Sequence, residues 1–492
     1  MSTRSRAFFK RVLIVGGVAL APMLMAVGAA AYLLYPTLRN PPVADYPPPA
    51  SRAEANLQDL DFLGRNYPEL NRSFTQATRA AFLAELAELS AKAGTLDAAG
   101  LEMGIAHAVA LSDEGHARVR GVAYGRSLTA LPIRLGWFAE GLFVIMADPE
   151  HTSLLGARII EVAGLPIATL AEHLDSYVGG SAQLKRELLP YFLISPAALS
   201  AAGLVPAADT LELTMEVPGG NVVTQRVAAT DSPAHGPLPE GAIWRTRFNN
   251  HWPARDLSPV TFPGDTRPWT HLLPPTNELP LYLRNPDRFY WDDSSMPGMT
   301  YVQINAVRDA ADGISLGAYL ADILAQVRAT KPRTIVIDLR MNAGGNLERM
   351  VDFTRDLPQA LAPGAHIYVL GGGNTFSAAI SSAARLKYYG ADRTTVVGLP
   401  FGDRGQFWAE GRQLTLPNSG LEVQYTTSWH DWENGCSLAQ VGTCYLFNYL
   451  WIVPAGSLAP NFVIEQTIAD YLAGRDTLMD WVIADAAGPP NS

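Results

Sequence analysis

The sequence predicts an α/β fold with a parallel sheet, and three regions of different periodicity support this fold class. Between residues 286 and 485, short apolar strands such as Thr334–Arg340 and Thr394–Leu399 alternate with segments of helical periodicity. Strands that are apolar throughout indicate a parallel sheet covered on both faces, because each side of such a strand is buried. Residues 55–120 have a helical pattern, and residues 121–285 mix strands, a helix and loops. We therefore expect an N-terminal helical segment, a mixed α/β middle region and a C-terminal α/β domain.

The individual elements follow from local patterns. In the helical segment, Phe82, Leu86 and Leu89 recur on one stripe, which is the spacing of an amphipathic helix. In the middle region, Asp209–Ala229 alternates on both sides of a Pro-Gly-Gly sequence and predicts a β-hairpin, whereas residues 230–290 lack periodicity and predict loops. A second hairpin is predicted for "LTLPNSGLEVQYTT" in the C-terminal domain.

Composition excludes several classes of function. The chain has 492 residues with 48% hydrophobic and 17% charged residues, which argues against wholesale disorder. Its net charge is −10 and it has no long basic run, so we expect no nucleic-acid partner. Zinc-type cysteine pairs and the HExxH motif do not occur, so we expect no metal and no other cofactor.

The N-terminus predicts export. Four basic residues precede Val12–Tyr35, which carries no charge. A secretory signal has an apolar core of about 7–15 residues, whereas a membrane span needs about 20. We therefore expect residues 1–40 to be a membrane anchor with the remaining chain outside the cytoplasm; a signal cleaved after the Ala29-x-Ala31 pattern is the alternative. The proline-rich residues 41–54 predict a stiff, extended linker.

Two cysteines, Cys436 and Cys444, are the only ones in the chain. In an exported protein, their spacing favours a local disulfide bond. Two unlinked thiols are the alternative.

Two glycine-rich loops follow apolar strands in the C-terminal domain. The first is Asp338–Asn346 (DLRMNAGGN), and the second is Gly371–Ala378 (GGGNTFSA), in which Ser377 precedes a helix of small residues. Reactive groups of α/β folds gather at the carboxyl ends of strands. Glycines let backbone amides approach one point, as an oxyanion hole requires. Ser377 is thus a candidate nucleophile; alternatively, it only caps the helix.

A serine nucleophile needs a base. His116 stands in a short polar loop between a helix and a strand-like stretch, which makes it the candidate among the nine histidines. The loop after Thr394–Leu399 contains Asp403, Arg404 and Glu410 but no lysine. His430, Asp431 and Glu433 suggest a metal cluster, but their spacing alone is weak evidence for one.

Several segments resemble, in order, the tricorn-core and C-terminal-processing serine peptidase family, also called the tail-specific peptidases. Ser112–Val119 (SDEGHARV) resembles the motif of the catalytic histidine in the tricorn-like branch. Ile335–Asn346 (IVIDLRMNAGGN) resembles the family's DLRNNxGG motif, and Gly372–Gly390 resembles the segment of the nucleophile. Val396–Gly402 (VVGLPFG) resembles VGEPTGG. The similarity extends over most of residues 55–485.

The resemblance implies a ClpP/crotonase-like catalytic domain in residues 286–485 and a possibly PDZ-like module in the middle region. It implies hydrolysis of peptide bonds through an acyl-enzyme, with Ser377 as nucleophile and His116 as its base. The oxyanion hole would be formed by backbone amides, those of Gly345 or Gly344 and of Ala378. The tricorn-like branch adds a carboxylate that orients the histidine, for which Glu433 and Glu410 are the candidates.

The sequence departs from the family pattern at four places. Asp403 or Arg404 occupies the position of the lysine in the Ser–Lys branch, so that the proton must go to histidine. Leu399 replaces a usual Glu, Asn461 replaces a usual Asp, and Glu114 stands where an Asp is usual.

The leading hypothesis is a membrane-anchored, extracytoplasmic serine peptidase acting on peptides or proteins. The main alternative is a catalytically silent family member that binds a peptide or an apolar ligand in the same cleft. An esterase or amidase using the same machinery is a third hypothesis, because acyl transfer from esters needs the same groups.

Overall fold

Helices at the N-terminal side of the chain support the loop that carries His116. The computed structural model describes residues 27–120, 128–230, 256–260, 268–274, 278–310 and 313–488. The first helices are α1 (27–38), α2 (Arg52–Leu70), α3 (Gln76–Ala91) and α4 (Ala98–Ala110). The α2, α3 and α4 helices share one apolar core, and Ser51, Thr75 and Asp97 cap their N-termini. The loop of residues 111–117 then leads to strand β1 (Arg118–Val119).

The segment predicted as a linker, residues 41–54, lies on the body of the protein. It is without regular structure up to residue 50, and α2 already begins at Arg52. The Tyr46 hydroxyl donates to Asp61 Oδ2 at 2.6 Å, and Gln58 Nε2 donates to the Pro47 carbonyl at 3.0 Å. These contacts with α2 hold the segment against the protein.

The middle region forms an antiparallel sheet flanked by helices. Its strands are β2 (Ile133–Phe138), β3 (Gly141–Ala147), β4 (Arg158–Val162), β5 (Leu165–Pro166), β6 (Thr210–Glu216), β7 (Val222–Ala228) and β8 (Thr270–His271). Its helices are α5 (Ile167–Leu174), α6 (Ala182–Leu193) and α7 (Pro196–Ala201). The strand order is β2-β3-β4-β6-β7, with β5 beside β4 and β8 beside β3. The predicted Pro-Gly-Gly hairpin is confirmed by the β6–β7 pairing, whereas most of residues 230–290 lie outside the described residues.

The C-terminal region contains the predicted parallel sheet. Its strands are β9 (Tyr290–Asp293), β10 (Met299–Ile304), β11 (Thr334–Asp338), β12 (His366–Gly371), β13 (Thr394–Gly398), β14 (Gln406–Ala409), β15 (Gln413–Thr415), β16 (Glu422–Gln424), β17 (Ser428–Asp431) and β18 (Phe462–Val463). The main sheet has the order β18-β13-β12-β11-β10-β9, in which only the edge strand β9 is antiparallel.

Helices cover both faces of this sheet, as predicted from its apolar strands. They are α8 (Leu316–Thr330), α9 (Val351–Ala360), α10 (Ala378–Gly390), α11 (Asn448–Trp451), α12 (Ile468–Leu472) and α13 (Thr477–Ala487). Alternate strand residues such as Ile337 and Val369 pack in a core with α8, α9 and α10. Their neighbours, such as Val336 and Leu370, pack against Leu478 of α13 on the opposite face. The predicted α/β fold class is thus confirmed.

Two small sheets join distant parts of the chain at the carboxyl side of the main sheet. β1 pairs with β16, and β16 pairs with β15 as the predicted second hairpin. β14 pairs with β17. After β17 the chain forms a loop closed by a disulfide bond between Cys436 and Cys444, so that prediction is confirmed.

Most of the predicted membrane anchor, Val12–Tyr35, lies outside the described residues. Among the residues that are described, no helix is long and apolar enough to cross a membrane. The last turn of α1 contacts the body, since Thr37 Oγ1 lies 3.0 Å from Thr427 Oγ1.

Candidate active site

Ser377 stands at a sharp turn between strand β12 and helix α10. Its φ of 57° and ψ of −122° are strained for a residue with a side chain. Its hydroxyl makes no capping hydrogen bond to the helix, although Ser377 occupies the N-cap position. A strained serine on a strand-to-helix turn, whose hydroxyl makes no capping bond, has the backbone features of a nucleophile elbow.

The second glycine loop lies directly against Ser377. The Phe376 amide donates to the Asn342 carbonyl at 3.0 Å, which fixes the two loops together. A Cβ atom added to Gly344 would lie 2.7 Å from Ser377 Cβ, and one added to Gly345 would lie 2.2 Å from the Val307 carbonyl oxygen. Both glycines also have positive φ, so this close approach requires residues without side chains.

Backbone amides converge beside the Ser377 side chain. The Gly344 amide is already engaged, because it donates a hydrogen bond to Asn342 Oδ1 at 2.8 Å. Within the part of the chain that the structure describes, the amides of Gly345 and Ala378 donate to no other group. A Cβ at Gly344 would also lie 3.0 Å from the Ala378 nitrogen, so the two loops meet at this helix N-terminus. Free amides at a helix N-terminus favour a developing negative charge.

His116 is buried next to the nucleophile loop. Its ring packs on Phe376, with centroids 4.2 Å apart, and stacks on Phe407 of β14 at 5.2 Å. Its Nδ1 lies 3.3 Å from Asp403 Oδ2, within ion-pair distance but without hydrogen-bond geometry. Among the described residues, neither ring nitrogen makes a hydrogen bond, so the expected bond to Ser377 is not formed. Such bonds are frequently long in free enzymes and tighten when substrate binds.

Asp403 is the carboxylate that faces His116, and sequence reasoning did not assign it this place. Its side chain is fully buried, and its Oδ1 accepts a hydrogen bond from the Arg404 amide at 2.9 Å. Burial lowers the pKa of His116, and the Asp403 charge opposes this effect. The ring is therefore neutral at neutral pH, as a general base must be. The sequence feature that could have pointed to Asp403 is the absence of a lysine from this loop.

Glu114 adds a second buried carboxyl group. Its Oε2 accepts a hydrogen bond from the Trp408 amide at 3.1 Å. Burial, together with the neighbouring charge of Asp403, raises the pKa of Glu114 to about 8. At neutral pH, Glu114 is thus mainly uncharged.

The two carboxylates proposed from the sequence lie elsewhere. Glu410 Oε1 is 3.5 Å from Nε2 of the buried His430, and Glu433 packs over Gly405. Neither makes an ion pair or a hydrogen bond with His116 in the described part of the chain. Asp431 accepts hydrogen bonds from Gln406 and Asn434, and no described group of three His, Cys, Asp or Glu residues could hold a metal ion.

Comparison with known proteins identifies a shared fold. Mature CPAF in complex with lactacystin aligns over 88% of this chain and 98% of that chain, with 14% identity and a TM-score of 0.53. Mature CPAF alone aligns over 88% and 96%, with 15% identity and a TM-score of 0.53. The photosystem II D1 C-terminal processing protease aligns over 87% and 100% at 14% identity, but its TM-score of 0.31 is too low to support an inference.

No protein-family model matches the sequence, and no curated protein matches it. The likeness to CPAF, at such low identity, shows a common fold. It agrees with the fold relationship that the sequence motifs implied.

Proposed function

We propose that this chain is an extracytoplasmic serine peptidase of the tail-specific type that cleaves peptide bonds through an acyl-enzyme on Ser377. One observation carries the proposal: Ser377 has a strained backbone and a hydroxyl free of any capping bond, and two unused amides lie beside it. A serine that served only as a helix cap would place its hydroxyl on the first-turn amides.

Each group then has one role. Ser377 Oγ attacks the carbonyl carbon of the scissile bond, and its proton passes to His116 Nε2, which later gives it to the leaving amine. The amides of Gly345 and Ala378 bind the oxyanion, whereas the Gly344 amide shapes the loop. Water then attacks the ester, and His116 acts as base a second time.

Asp403 is proposed as the carboxylate that orients His116, in place of the sequence candidates Glu410 and Glu433. Its approach to Nδ1 supports this role, since a carboxylate there holds Nε2 ready to accept a proton. Glu410, which faces His430, is proposed to hold the antiparallel pair of β14 and β17 instead.

The domain roles complete the proposal. Residues 286–485 would form the ClpP/crotonase-like catalytic domain, and the antiparallel sheet of the middle region would serve as a PDZ-like module. Residues 1–40 would anchor the chain in the membrane, with export as a secreted protein the alternative. The disulfide bond supports an oxidising compartment outside the cytoplasm.

A catalytically silent protein that binds a peptide in the same cleft is the second candidate. The observation that favours it is the absence of a Ser377–His116 hydrogen bond among the described residues. Both candidates predict peptide binding, but only the peptidase predicts a covalent bond to Ser377.

Labelling with a fluorophosphonate separates the two candidates. We expect the wild-type chain to be labelled at one site and Ser377→Ala not to be labelled. Ser381→Ala, one turn further along α10, is the matched control and should label like wild type. Because CPAF was solved with lactacystin, incubation with lactacystin should also reduce labelling. An unlabelled wild-type protein that still binds peptides would support the silent candidate.

A further inference from the structure

A cleft lies beside the nucleophile loop and is not used by the proposed catalytic steps. It measures about 680 Å³, including the space open to solvent. Helix α6 lines one side with Glu187, and the carboxyl ends of β12 and β13 line another with Gly371–Asn374 and Leu399. Trp137 and Leu257 provide further apolar wall. Its apolar walls, together with a few convergent polar groups, suit a side chain or a small ligand.

Glu187 is a buried carboxyl group without a cationic partner. It is 8% exposed, and its oxygens accept hydrogen bonds from Gln183 Nε2 at 3.0 Å and from Asn374 Nδ2 at 3.4 Å. Both donors are neutral amides, and no ion pair joins Glu187 to a cation among the described residues. A buried carboxylate is ordinarily paired, because its desolvation is costly.

Asn374 supplies an unsatisfied acceptor in the same cleft. It is 5% exposed, and its Oδ1 has no hydrogen-bond partner in the described part of the chain. Buried polar atoms are almost always hydrogen-bonded, so an orphaned oxygen next to a carboxyl group indicates a place for a ligand that donates hydrogen bonds.

The two guanidinium groups that line the cleft are paired with carboxyl groups other than Glu187. Arg186 pairs with Glu465 at 2.6 Å, and Arg340 is held by Asp476 at 2.8 Å and also by Asp338. The Glu187 carboxyl group therefore stays available to a cationic ligand.

Helix α6 connects the cleft to both catalytic loops. A Cβ atom at Gly373 would lie 2.1 Å from Glu187 Cγ, so the backbone just before Ser377 rests on the Glu187 side chain. Three residues earlier in α6, Leu184 contacts Gly115, which precedes His116. The cleft therefore shares its wall with the start of the loop that ends at Ser377.

We propose that this cleft is a subsite for a basic side chain of the substrate, with Glu187 and Asn374 Oδ1 accepting hydrogen bonds from its ammonium or guanidinium group. The methylene stem of a lysine or arginine would lie along Trp137, Leu257 and Leu399, as such stems do on apolar surfaces. A carboxylate binds a guanidinium group through two parallel hydrogen bonds. The proposal rests on the peptidase function, because it makes the occupant a substrate residue.

Binding should depend on pH in a defined direction. Burial raises the pKa of Glu187, and the charge of Glu465 adds to this rise, whereas Arg186 and the hydrogen bonds from Gln183 and Asn374 oppose it. Only the ionised carboxylate attracts a cation strongly, so affinity should fall as the pH falls through this raised pKa.

Binding of a small cation tests the subsite without any need for catalysis. We would titrate benzamidine and its neutral analogue benzamide into the full chain carrying Ser377→Ala. Benzamidine should bind at least 10-fold more tightly than benzamide. Glu187→Gln should remove this preference, whereas Glu172→Gln, an exposed position on α5, should keep it. Leu399→Trp should block binding by filling the cleft while leaving Glu187 in place.

Cleavage assays test whether the cation is a substrate residue. Peptide pairs that differ only by lysine or norleucine at one position would be scanned along the substrate. We expect kcat/KM to favour lysine at least 10-fold at one position, and Glu187→Gln to abolish this preference.

The outcomes separate the two proposals. Equal binding of benzamidine to wild type, Glu187→Gln and Leu399→Trp would overturn the subsite, as would cleavage without any preference for lysine. Selective benzamidine binding without any peptide cleavage would leave a cation site but contradict the peptidase, and with it the assignment of the occupant as a substrate residue. Circular dichroism of each variant would show that it is folded.

Discussion

At the scale of single residues, the nucleophile position carries a cost in backbone conformation. Ser377 has positive φ although it is not glycine, and it makes no capping bond in return. A residue held in such a sparsely populated region costs about 1–3 kcal/mol. Functional sites commonly retain strain of this kind, because the strained backbone orients a reactive side chain toward the substrate.

Replacing Ser377 should therefore affect activity far more than stability. We expect Ser377→Ala to abolish acyl-enzyme formation with little change in stability, because no capping bond is lost. Ser377→Gly should be equally inactive but about 1 kcal/mol more stable than Ser377→Ala, since glycine adopts positive φ without strain. Urea unfolding of the two variants measures the difference. A lower stability of Ser377→Gly would show that the turn is not strained.

The pH dependence of activity should follow His116. Burial holds the pKa of His116 below its ordinary value, so kcat/KM should stay level on acidification to below about pH 6.5 and fall only then. The Asp403 charge acts in the opposite direction, so Asp403→Asn should lower kcat and also move the acidic limb to still lower pH. If the acidic limb of the pH profile moved to higher pH in this variant, this would contradict the pairing of Asp403 with His116.

Glu114 should control stability rather than activity. Its pKa is raised to about 8, so its stabilising contribution is fully present below pH 4.5 and is lost as the pH rises through 8. Glu114→Gln removes this loss and can still accept the bond from the Trp408 amide. Because one pKa unit corresponds to about 1.4 kcal/mol, the variant should gain on the order of 3 kcal/mol relative to wild type between pH 5 and pH 9. Denaturant unfolding of both proteins at both pH values measures this gain. If the wild type and the variant changed equally in stability between the two pH values, this would contradict a buried, protonated Glu114.

At the scale of elements, the two glycine loops form one unit around Ser377. Gly344→Ala would place a Cβ atom 2.7 Å from Ser377 Cβ, so it should lower kcat at least 100-fold, the effect of a disturbed oxyanion hole, and change KM little. Gly313→Ala is the matched control: its φ of 95° is close to the 98° of Gly344, but no atom lies within 4 Å of its added Cβ. Similar kcat values for both variants would show that only backbone strain matters.

The disulfide loop supports the antiparallel pair of β14 and β17, in which Phe407 of β14 stacks on His116. β17 contacts this loop directly, because Trp429 bridges to Cys444. A disulfide that closes so short a loop contributes roughly 2–3 kcal/mol in the chain-entropy view. The double variant Cys436→Ser, Cys444→Ser should lose about this much free energy of unfolding. An unchanged free energy of unfolding would show that the disulfide bond does not stabilise the protein.

Local patterns in the sequence predicted the structural features that depend on residues close together in the chain. The apolar strands around Ile337 and Val369, both hairpins and the disulfide bond are all recorded in short stretches of sequence. Asp403 and Glu187 could not be assigned in this way, because their partners His116 and Asn374 are far away in the chain. A glutamate in an amphipathic helix is ordinarily on the solvent side, and only the packing of the glycine loop on α6 shows otherwise.

At the scale of the whole molecule, the N-terminal side brings apolar groups to one region of the surface. In α1, Tyr32 is 80% exposed, and in the disulfide loop Leu438 is 85% exposed. The two segments are close, because Thr37 contacts Thr427 while Arg72 bonds the carbonyls of both Thr427 and Gly442. Exposed apolar side chains of α1 and of the disulfide loop therefore lie in the same region of the surface.

The proposed anchor, with its uncharged segment Val12–Tyr35, predicts how the protein behaves on membranes. The full-length chain should stay in the membrane pellet after carbonate extraction, because an apolar segment of this length holds a chain in the bilayer. A chain that begins at residue 39 should be released, since it keeps only scattered apolar groups such as Leu438 and Leu450, which give weak interfacial binding. The N-terminus of the extracted protein would be determined by mass spectrometry. A full-length chain that is washed off with its N-terminus intact would contradict the anchor. A mature chain that begins just after Ala31 would instead establish cleavage, and the exposed side chains of Tyr32 and Tyr35 would then belong to the free N-terminus of a secreted enzyme.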